Sequence, residues 1–464
     1  MIMMFKALRF TKSQGTTGKN KMPEIIADNI SIINSDELEG ATRLEAEYYQ
    51  PAYLSLIKSL KRISTVKLST IAFVTDGIHA SIDYDDSSPI YCLSAKTMIA
   101  VSQHNNNLRT SIQCGDVIIS SMGTIGFSAV AYKEMLPANA VRQVLIVRVK
   151  ELEKLDSDYP YFISTFLNSK YGMFQSIREA TGNVQQHLFI DKVINFKIPQ
   201  LLNIEYIGGI YKKAEIKFIE SNNLYSQTES LLLEELGIKD IDLSHEPCYE
   251  VNSADTISAN RIDAEYYQPK YERVIEAIRK NNHKLLTHFI EEYSTGYPFS
   301  SKSYLEKGIP LIRINNIQKG QLGLQDVVYI KESDINLSPR DVVITNDIVI
   351  SMSGTIGASA VIDEFIGKAI INQRILKIRL KDIDADYLCL VLNSIIGSMQ
   401  FNRIGTGGVQ TNISYKDMKN ILIPLCNKQL EIANLIRQSH SSRRHAKGLL
   451  EKAKRRVEEM IEKG

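Results

Sequence analysis

The sequence predicts an α+β chain built as a tandem duplication. An α/β domain followed by a long helix occurs twice, and the two long helices pair as an antiparallel coiled coil with pseudo-two-fold symmetry. Three observations predict this. "RLEAEYYQPAY" (Arg43 to Tyr53) returns as "RIDAEYYQPKY" (Arg261 to Tyr271), identical at eight of eleven positions. A chain of 464 residues is too long for one ordinary core. Each copy ends in a long stretch with heptad spacing.

The repetition continues in the same order along the chain, which marks a duplicated unit of roughly 220 residues. "GDVIISSMGTIGFSAV" (Gly115 to Val130) returns as "NDIVISMSGTIGASAV" (Asn346 to Val361). "VLIVRVK" (Val144 to Lys150) returns as "ILKIRLK" (Ile375 to Lys381), and "FLNS" at Phe166 as "VLNS" at Val391. "ATGNVQQHLFIDKVINFKIP" (Ala180 to Pro199) returns as "GTGGVQTNISYKDMKNILIP" (Gly405 to Pro424).

Each unit opens with a helix carrying a Pro near its start, at Glu45–Ile63 and Asp263–Arg279. "DVIIS", "VLIVRV", "DIVIS" and "ILKIRL" are short β-branched runs bounded by turn residues and read as strands. "PYFISTFLNSKYGMFQSI" and "ADYLCLVLNSIIGSMQFN" read as amphipathic helices. A strand ending at Pro199 or Pro424 closes each globular part.

The long helices follow. In the first, Ile204, Ile207, Tyr211, Ala214, Phe218, Ser221, Tyr225, Thr228 and Leu232 alternate steps of three and four. In the second, Ile432, Leu435, Ser439, Ser442, Ala446, Leu449, Ala453, Arg456 and Met460 do the same. Either each helix faces its own core or the two pair; two such helices behind like units favour pairing. A helix from about Leu201 to Leu236 is roughly 50 Å long. The chain therefore divides into a tail at 1–31, a first domain at 32–200, a helix at 201–236, a linker at 237–260, a second domain at 261–424 and a helix at 425–464. The loose start reads as a disordered tail, or as sequence before a true start at Met22.

Composition limits the function classes. A 44% apolar and 23% charged content is that of a soluble globular protein. No apolar run has the length of a membrane span, and the start lacks the features of a signal peptide. Five scattered cysteines without a CxxC pair point to a reducing cytosol rather than a disulfide framework or zinc site. The histidines form no HxxxH or HExxH pair, so no metal site is expected. A net charge of +2 neither demands nor excludes nucleic acid. There is no Asn/Asp–Pro–Pro–aromatic loop for adenine methylation, no GxxxxGK[ST] loop for a motor and no Pro-Asp nuclease motif. No catalytic residue is assigned.

A two-fold pair of modules suits a two-fold ligand, and duplex DNA, with half-sites roughly 34 Å apart per turn, leads that class. At this point a resemblance carries further. "YSTGYPFSSKSYLEKGIPLIRINNIQKGQL" (Tyr293 to Leu322), "GTIG" after "DVIIS" or "DIVIS", and "TGGVQTNISYKDMKNILIPLCNKQLEIANLI" (Thr406 to Ile436) resemble the specificity subunits of type I restriction–modification systems. The likeness runs from about Ile32 to the end. Two departures stand out: the Pro-Pro-x-x-Glu-Gln start of the spacer helix is degraded in both copies, and the first unit has "SSPIYCLSAK" in place of "GIPLIRINNI".

The resemblance implies two target recognition domains reading an asymmetric bipartite duplex, spacer helices between them, and docking of two methyltransferase subunits and later motor–nuclease subunits. S-adenosylmethionine, ATP and Mg would serve those partners; this chain would hold no cofactor and perform no catalysis. Alternatives are a DNA-recognition protein of a modification-only or other defence system, and a non-DNA interaction scaffold.

The first portions of the units diverge while the framing motifs agree, so they are the expected reading surfaces. Arg or Lys suits guanine and Asn or Gln suits adenine. In the second unit the candidates are Arg313, Asn315, Asn316, Gln318 and Lys319. In the first they are His79, Ser81, Lys96, Gln103, His104 and Asn105 to Asn107. The "GTIG" turns (Gly123, Thr124; Gly354, Thr355) are either tight turns or phosphate contacts. The loops with Thr181, Gly182 and Gln185, and with Thr406, Gly407, Gln410 and Thr411, are expected to face DNA. The basic run from Arg443 to Arg456 reads as a solvated helix face. The Tyr48/Tyr49 and Tyr266/Tyr267 pairs are expected to pack onto their own domains.

Overall fold

The computed structural model describes residues 46–463, apart from 86, 95–97, 102–108, 151–157, 183–185, 201–202, 325–326, 365 and 406–411. The chain forms two compact units: Met1–Phe218 with Arg444–Gly464, and Ile219–Arg443. The division runs through both long helices rather than at their ends, because each unit buries half of each helix in its own core.

The first unit begins with a 3-10 turn at Ala46–Tyr49 and helix α1, Pro51–Lys61. The helix starts at its Pro, six residues later than the periodicity suggests. Gln50, the residue before it, is held in an extended conformation (φ −58°, ψ 143°), as a residue preceding Pro must be. Strands β1 (Thr65–Lys67), β2 (Ala72–Asp76), β3 (Tyr91–Leu93), β4 (Met98–Ala100), β5 (Val117–Ser120), β6 (Ser128–Val130), β7 (Ala138–Ala140), β8 (Val144–Val149) and β9 (Lys197–Pro199) follow. The main antiparallel sheet has the order β2-β8-β5-β6, a second sheet the order β4-β3-β7 with β3 and β7 parallel, and β1 pairs with β9.

The expected single amphipathic helix is two, α2 (Tyr159–Leu167) and α3 (Lys170–Glu179), because Ser169 caps a new start by accepting from Gly172 N. In α2, Phe162, Ile163, Phe166 and Leu167 are fully buried, each contributing about 2 kcal/mol of apolar burial. Apart from Arg148, strand β8 is apolar because both faces are covered. Leu145 and Val147 meet the helices, while Val144 and Ile146 meet the second sheet.

The second unit repeats the plan. A 3-10 turn at Ala264–Tyr267 leads into α4, Pro269–Arg279. Its strands are β10 (His283–Leu285), β11 (Ile290–Ser294), β12 (Ile309–Ile312), β13 (Ile317–Gln318), β14 (Gln321–Leu322), β15 (Val328–Ile330), β16 (Val342–Val343), β17 (Ile348–Ser351), β18 (Ser359–Val361), β19 (Ala369–Ile371), β20 (Ile375–Leu380) and β21 (Leu422–Pro424). The order β11-β20-β17-β18 matches that of the first unit's main sheet, and β12 lies parallel to β19 as β3 does to β7. The divergent segments "SSPIYCLSAK" and "GIPLIRINNI" therefore supply the same strand. Helices α5 (Ala385–Asn393) and α6 (Ile395–Ile404) pack on the main sheet as α2 and α3 do.

One buried ion pair recurs. Arg148 grips Asp116 through Nε and Nη2 at 2.8 and 2.6 Å, and Arg379 grips Asp347 at 3.0 and 3.1 Å. Both carboxylates are almost fully buried, so each Arg ties β8 or β20 to the loop before β5 or β17.

The long helices span Ile204–Glu235 and Gln429–Lys463. Within the second unit they run antiparallel. Ser439 Oγ donates to Ser221 O at 2.7 Å, Ser442 Oγ to Glu220 Oε1 at 3.1 Å, and Lys428 pairs with Glu235 at 2.7 Å. Small side chains at Ser221 and Ser439 let the backbones approach. The seam of the second helix differs from the heptad reading at three places. Ile436, Val457 and Ile461 are buried where Leu435, Arg456 and Met460 are expected, and Arg456 is exposed beside Glu459. A 3.6-residue turn drifts against a 3.5-residue repeat, and β-branched residues at the next position take the inward place. None of the described helices is long and apolar enough to cross a membrane.

The Tyr pairs pack onto their own units. Tyr48 and Tyr49 are buried, Arg178 lies 3.7 Å over the Tyr48 ring, and Tyr48 Oη donates to Glu179 Oε1 at 2.8 Å. In the second unit Arg403 lies 4.8 Å over Tyr266.

Candidate nucleic-acid interface

In each unit four chain segments meet at the ends of the main sheet, and main-chain hydrogen bonds hold them. In the first unit the Ser121–Gly126 turn after β5 is the hub. Ser121 N donates to Gln143 O and Leu188 N donates to Ser121 O, both at 2.9 Å. Arg142 N donates to Ile78 O at 3.0 Å, and Thr181 and His187 exchange both main-chain bonds at 3.0 and 2.7 Å. The turn, the β7–β8 connection, the segment after β2, and residues 181–182 and 186–189 thus form one surface.

The second unit builds the same surface. Met352 N donates to Arg374 O and Ile413 N to Met352 O, both at 3.0 Å; Gln373 N donates to Tyr297 O at 3.2 Å. Tyr297 pairs with Asn372 and Ser353 with Asn412.

The two glycines of each "GTIG" do different work. Gly123 (φ 73°) and Gly354 (φ 72°) are exposed and open, so their backbone can be approached. Gly126 and Gly357 are packed: a Cβ would stand 2.5 Å from Ser176 Cβ or 2.2 Å from the Phe401 ring. Gly126 and Gly357 thus serve the tight turn, while Gly123 and Gly354 leave backbone open at the surface.

The named candidates separate clearly. Thr355 is exposed beside Gly354, but Thr124 is buried with its hydroxyl 3.2 Å from Ser120 Oγ. Thr124 is removed from the contact set, because its hydroxyl is spent inside the turn. Asn316 is corrected as well. It is fully buried; its Oδ1 accepts from Arg313 N at 2.9 Å and its Nδ2 donates to Gly323 O at 2.9 Å. It holds the loop closed, a structural use of the amide.

Arg313 is half-buried with its guanidinium 5.7 Å over the Tyr304 ring, and Asn315 is exposed. Ile314 lies against Gly354, so this segment borders the surface. Gln318 and Lys319 are exposed at the β13–β14 hairpin, whose turn residue Gly320 is buried with its Cβ position 3.3 Å from Tyr225 and 3.7 Å from His440. Lys319 stands near Glu229, whose carboxyl burial pushes up and Lys319 partly pulls down. The hairpin leans on both long helices, so these two residues lie apart from the hub.

His79 is exposed with Nε2 2.6 Å from Asp76 Oδ2, and Arg109 reaches the other oxygen of Asp76 at 3.2 Å. Ser81 is exposed; Thr181 and Gly182 lie at the 181–187 pairing. Lys96, Gln103, His104, Asn105 to Asn107, Gln185, Thr406, Gly407, Gln410 and Thr411 lie outside the described residues.

Several surface residues were not among those candidates. His187 packs tilted against exposed Phe189, with centroids 4.1 Å apart. Burial, then the nearby His79 and Arg142, hold its imidazole below the usual histidine range, so it is neutral at physiological pH. In the second unit Tyr293 and Tyr415 stack at 3.7 Å, and Tyr297 is partly exposed. Arg142, Gln143, Gln373 and Arg374 are exposed at the two turns. Their signal was available: they immediately precede the repeated "VLIVRVK" and "ILKIRLK". Exposed donors and aromatic faces beside an open backbone are groups that bind phosphates and bases.

Residues 286–452 match the family described as "Type I restriction modification DNA specificity domain". No curated protein matches the sequence significantly. Among solved structures, a type I restriction–modification S subunit from M. genitalium is similar at 12% identity and a TM-score of 0.40, over 86% of this chain and 95% of that one. An HsdS subunit from Thermoanaerobacter tengcongensis is similar at 13% identity and a TM-score of 0.28, over 86% and 96%.

Proposed function

We propose that this chain, whose residues 286–452 match the type I restriction modification DNA specificity family, is the DNA-recognition subunit of a restriction–modification complex. Each unit reads one half of an asymmetric bipartite duplex target. The observation that carries this is the repeated hub with unlike side chains: equivalent main-chain contacts hold Ile78, Arg142–Gln143 and His187 in one unit, and Tyr297, Gln373–Arg374 and Asn412 in the other. A common framework with two different surfaces suits a target whose halves differ.

Physical chemistry divides the work. The open backbone at Gly123 and Gly354 can approach a phosphate, and nearby cationic side chains add salt-dependent affinity. Side chains around each hub supply sequence discrimination through base edges. The chain performs no catalysis. Methyltransferase subunits dock on it and use S-adenosylmethionine; motor–nuclease subunits, where the system has them, use ATP and Mg. It acts in the cytoplasm.

Single-molecule sequencing of methylated bases, in cells carrying this gene and its neighbours with and without the gene, tests the proposal. Loss of methylation at one bipartite motif on deletion is expected. Unchanged methylation, with the partner subunits expressed and active, would refute it.

A further inference from the structure

We infer that the two-residue turns Arg142–Gln143 and Gln373–Arg374 are specificity-determining, each placing an Arg and a Gln against base edges of one half-site. The inference rests on the DNA-reading function above and assigns where that reading is done.

Four observations carry it. First, the turns occupy one address: each joins the strand parallel to β3 or β12 to the central strand of the main sheet. Second, their flanks are buried and their tips are not. Ala140, Val144, Ile371 and Ile375 are at most 2% exposed, while all four tip residues are exposed. The tip side chains do nothing for either core.

Third, the backbone is fixed. Ser121 N and Met352 N bind the carbonyls of Gln143 and Arg374, and Arg142 N and Gln373 N bind those of Ile78 and Tyr297. Arg374 is held at φ 67°, a conformation that an L side chain enters at a cost and that Gly or Asn would adopt more readily. The turns hold their side chains beside the open glycines without relying on them for support. The backbone of each tip is thus pre-organised, which leaves only side-chain freedom to be lost on binding.

Fourth, the chemistry is paired and inverted. Arg offers a planar donor fork to guanine O6 and N7, and Gln offers a donor and an acceptor to adenine N6 and N7. The first unit presents Arg then Gln; the second presents Gln then Arg. A phosphate clamp needs only positive charge, and Gln adds none. One inverted pair on a shared framework lets the two units distinguish different bases in the same local frame.

The test uses the full chain, produced with its modification subunits, carrying Arg142→Ala with Gln143→Ala, Arg374→Ala, or the exchange Arg142→Gln with Gln143→Arg. Methylation is mapped at base resolution across the genome. Discrimination is expected to fall about tenfold to a hundredfold at one or two base positions of a single half-site, the other half being unchanged. The exchange, which keeps both side chains, is expected to alter the preferred bases of that half-site; it decides the matter if the alanine variant does not assemble. An unchanged motif in an assembled variant would overturn the inference while leaving DNA recognition intact. So would uniform loss across all sequences with a shallower salt dependence, the signature of a phosphate contact. Absence of any motif dependent on the unaltered chain would remove the DNA reading itself, and this inference with it.

Discussion

Thr124 is buried and bonded to Ser120, whereas Thr355, at the same place in the second unit's turn, is exposed. Around the first turn stand His187 on Phe189, with Arg142; around the second stand Tyr297, the Tyr293–Tyr415 stack and Arg374. Three main-chain bonds recur in both, donated by Ser121 or Met352, by Leu188 or Ile413, and by Arg142 or Gln373. A duplicated framework can thus hold backbone geometry through its glycines, Ser121 and Met352, while side chains that support nothing are free to differ. The comparison teaches which residues belong to the framework and which to the surface.

Breaking the shared framework gives the largest effects. Replacing Arg148 or Arg379 with Ala leaves Asp116 or Asp347 as a buried carboxylate without its ionic partner. A loss of about 3 kcal/mol is expected in each unit, read from the urea midpoint of the unit affected. If either substitution proves neutral, the pair is not the common tie described above.

The glycines sharpen the distinction. Gly357→Ala forces a Cβ into the Phe401 ring at a left-handed φ and is expected to cost about 2–3 kcal/mol. Gly354→Ala meets only Ile314 Cγ2, at an ordinary 3.8 Å, and costs about 1 kcal/mol of conformational strain alone. Filter binding should nonetheless find weaker DNA affinity for the second, because the exposed backbone is changed.

The threonines separate stability from binding. Thr124→Ala is expected to cost about 1 kcal/mol through the lost hydroxyl partner and to leave DNA affinity alone. Thr355→Ala should fall within about 0.5 kcal/mol in stability and weaken DNA binding. Equal behaviour of the two would erase the contrast between the turns.

The smallest effect is a pH dependence confined to the first unit. The folded-state pKa of His187 is depressed below 6.5, so folding favours its neutral form. Its contribution is present above pH 6.5 and is lost as pH falls through the depressed value. Thermal melts between pH 7 and pH 5 should lose less stability in His187→Gln than in the unaltered chain. An identical slope would show that the neutral ring contributes nothing to the fold.

Much of the architecture was legible in the sequence because it depends on local periodicity and self-similarity. The strands "DVIIS" and "VLIVRV", the closing strands at Pro199 and Pro424, and both long helices follow from β-branched runs, turn residues and heptad steps. The sequence placed Gly123, Gly354, Thr355 and Asn315 among its candidates, and these are exposed. It misassigned Asn316 and Thr124, since an amide or hydroxyl looks the same whether it faces solvent or a carbonyl seven residues away. It passed over Arg142 and Arg374, where the repeat is broken by inversion.

The sequence by itself determined that the chain says one thing twice, and that the two statements differ in their first portions. Only the tertiary structure decided which side chains are inward. Burial depends on contacts between segments distant in sequence: Gly357 against Phe401, Gly320 against Tyr225 and His440, Ile436 rather than Leu435 at the seam. A one-residue drift on a helix, or one turn packed against a neighbour, changes a residue from framework to surface without altering any local pattern.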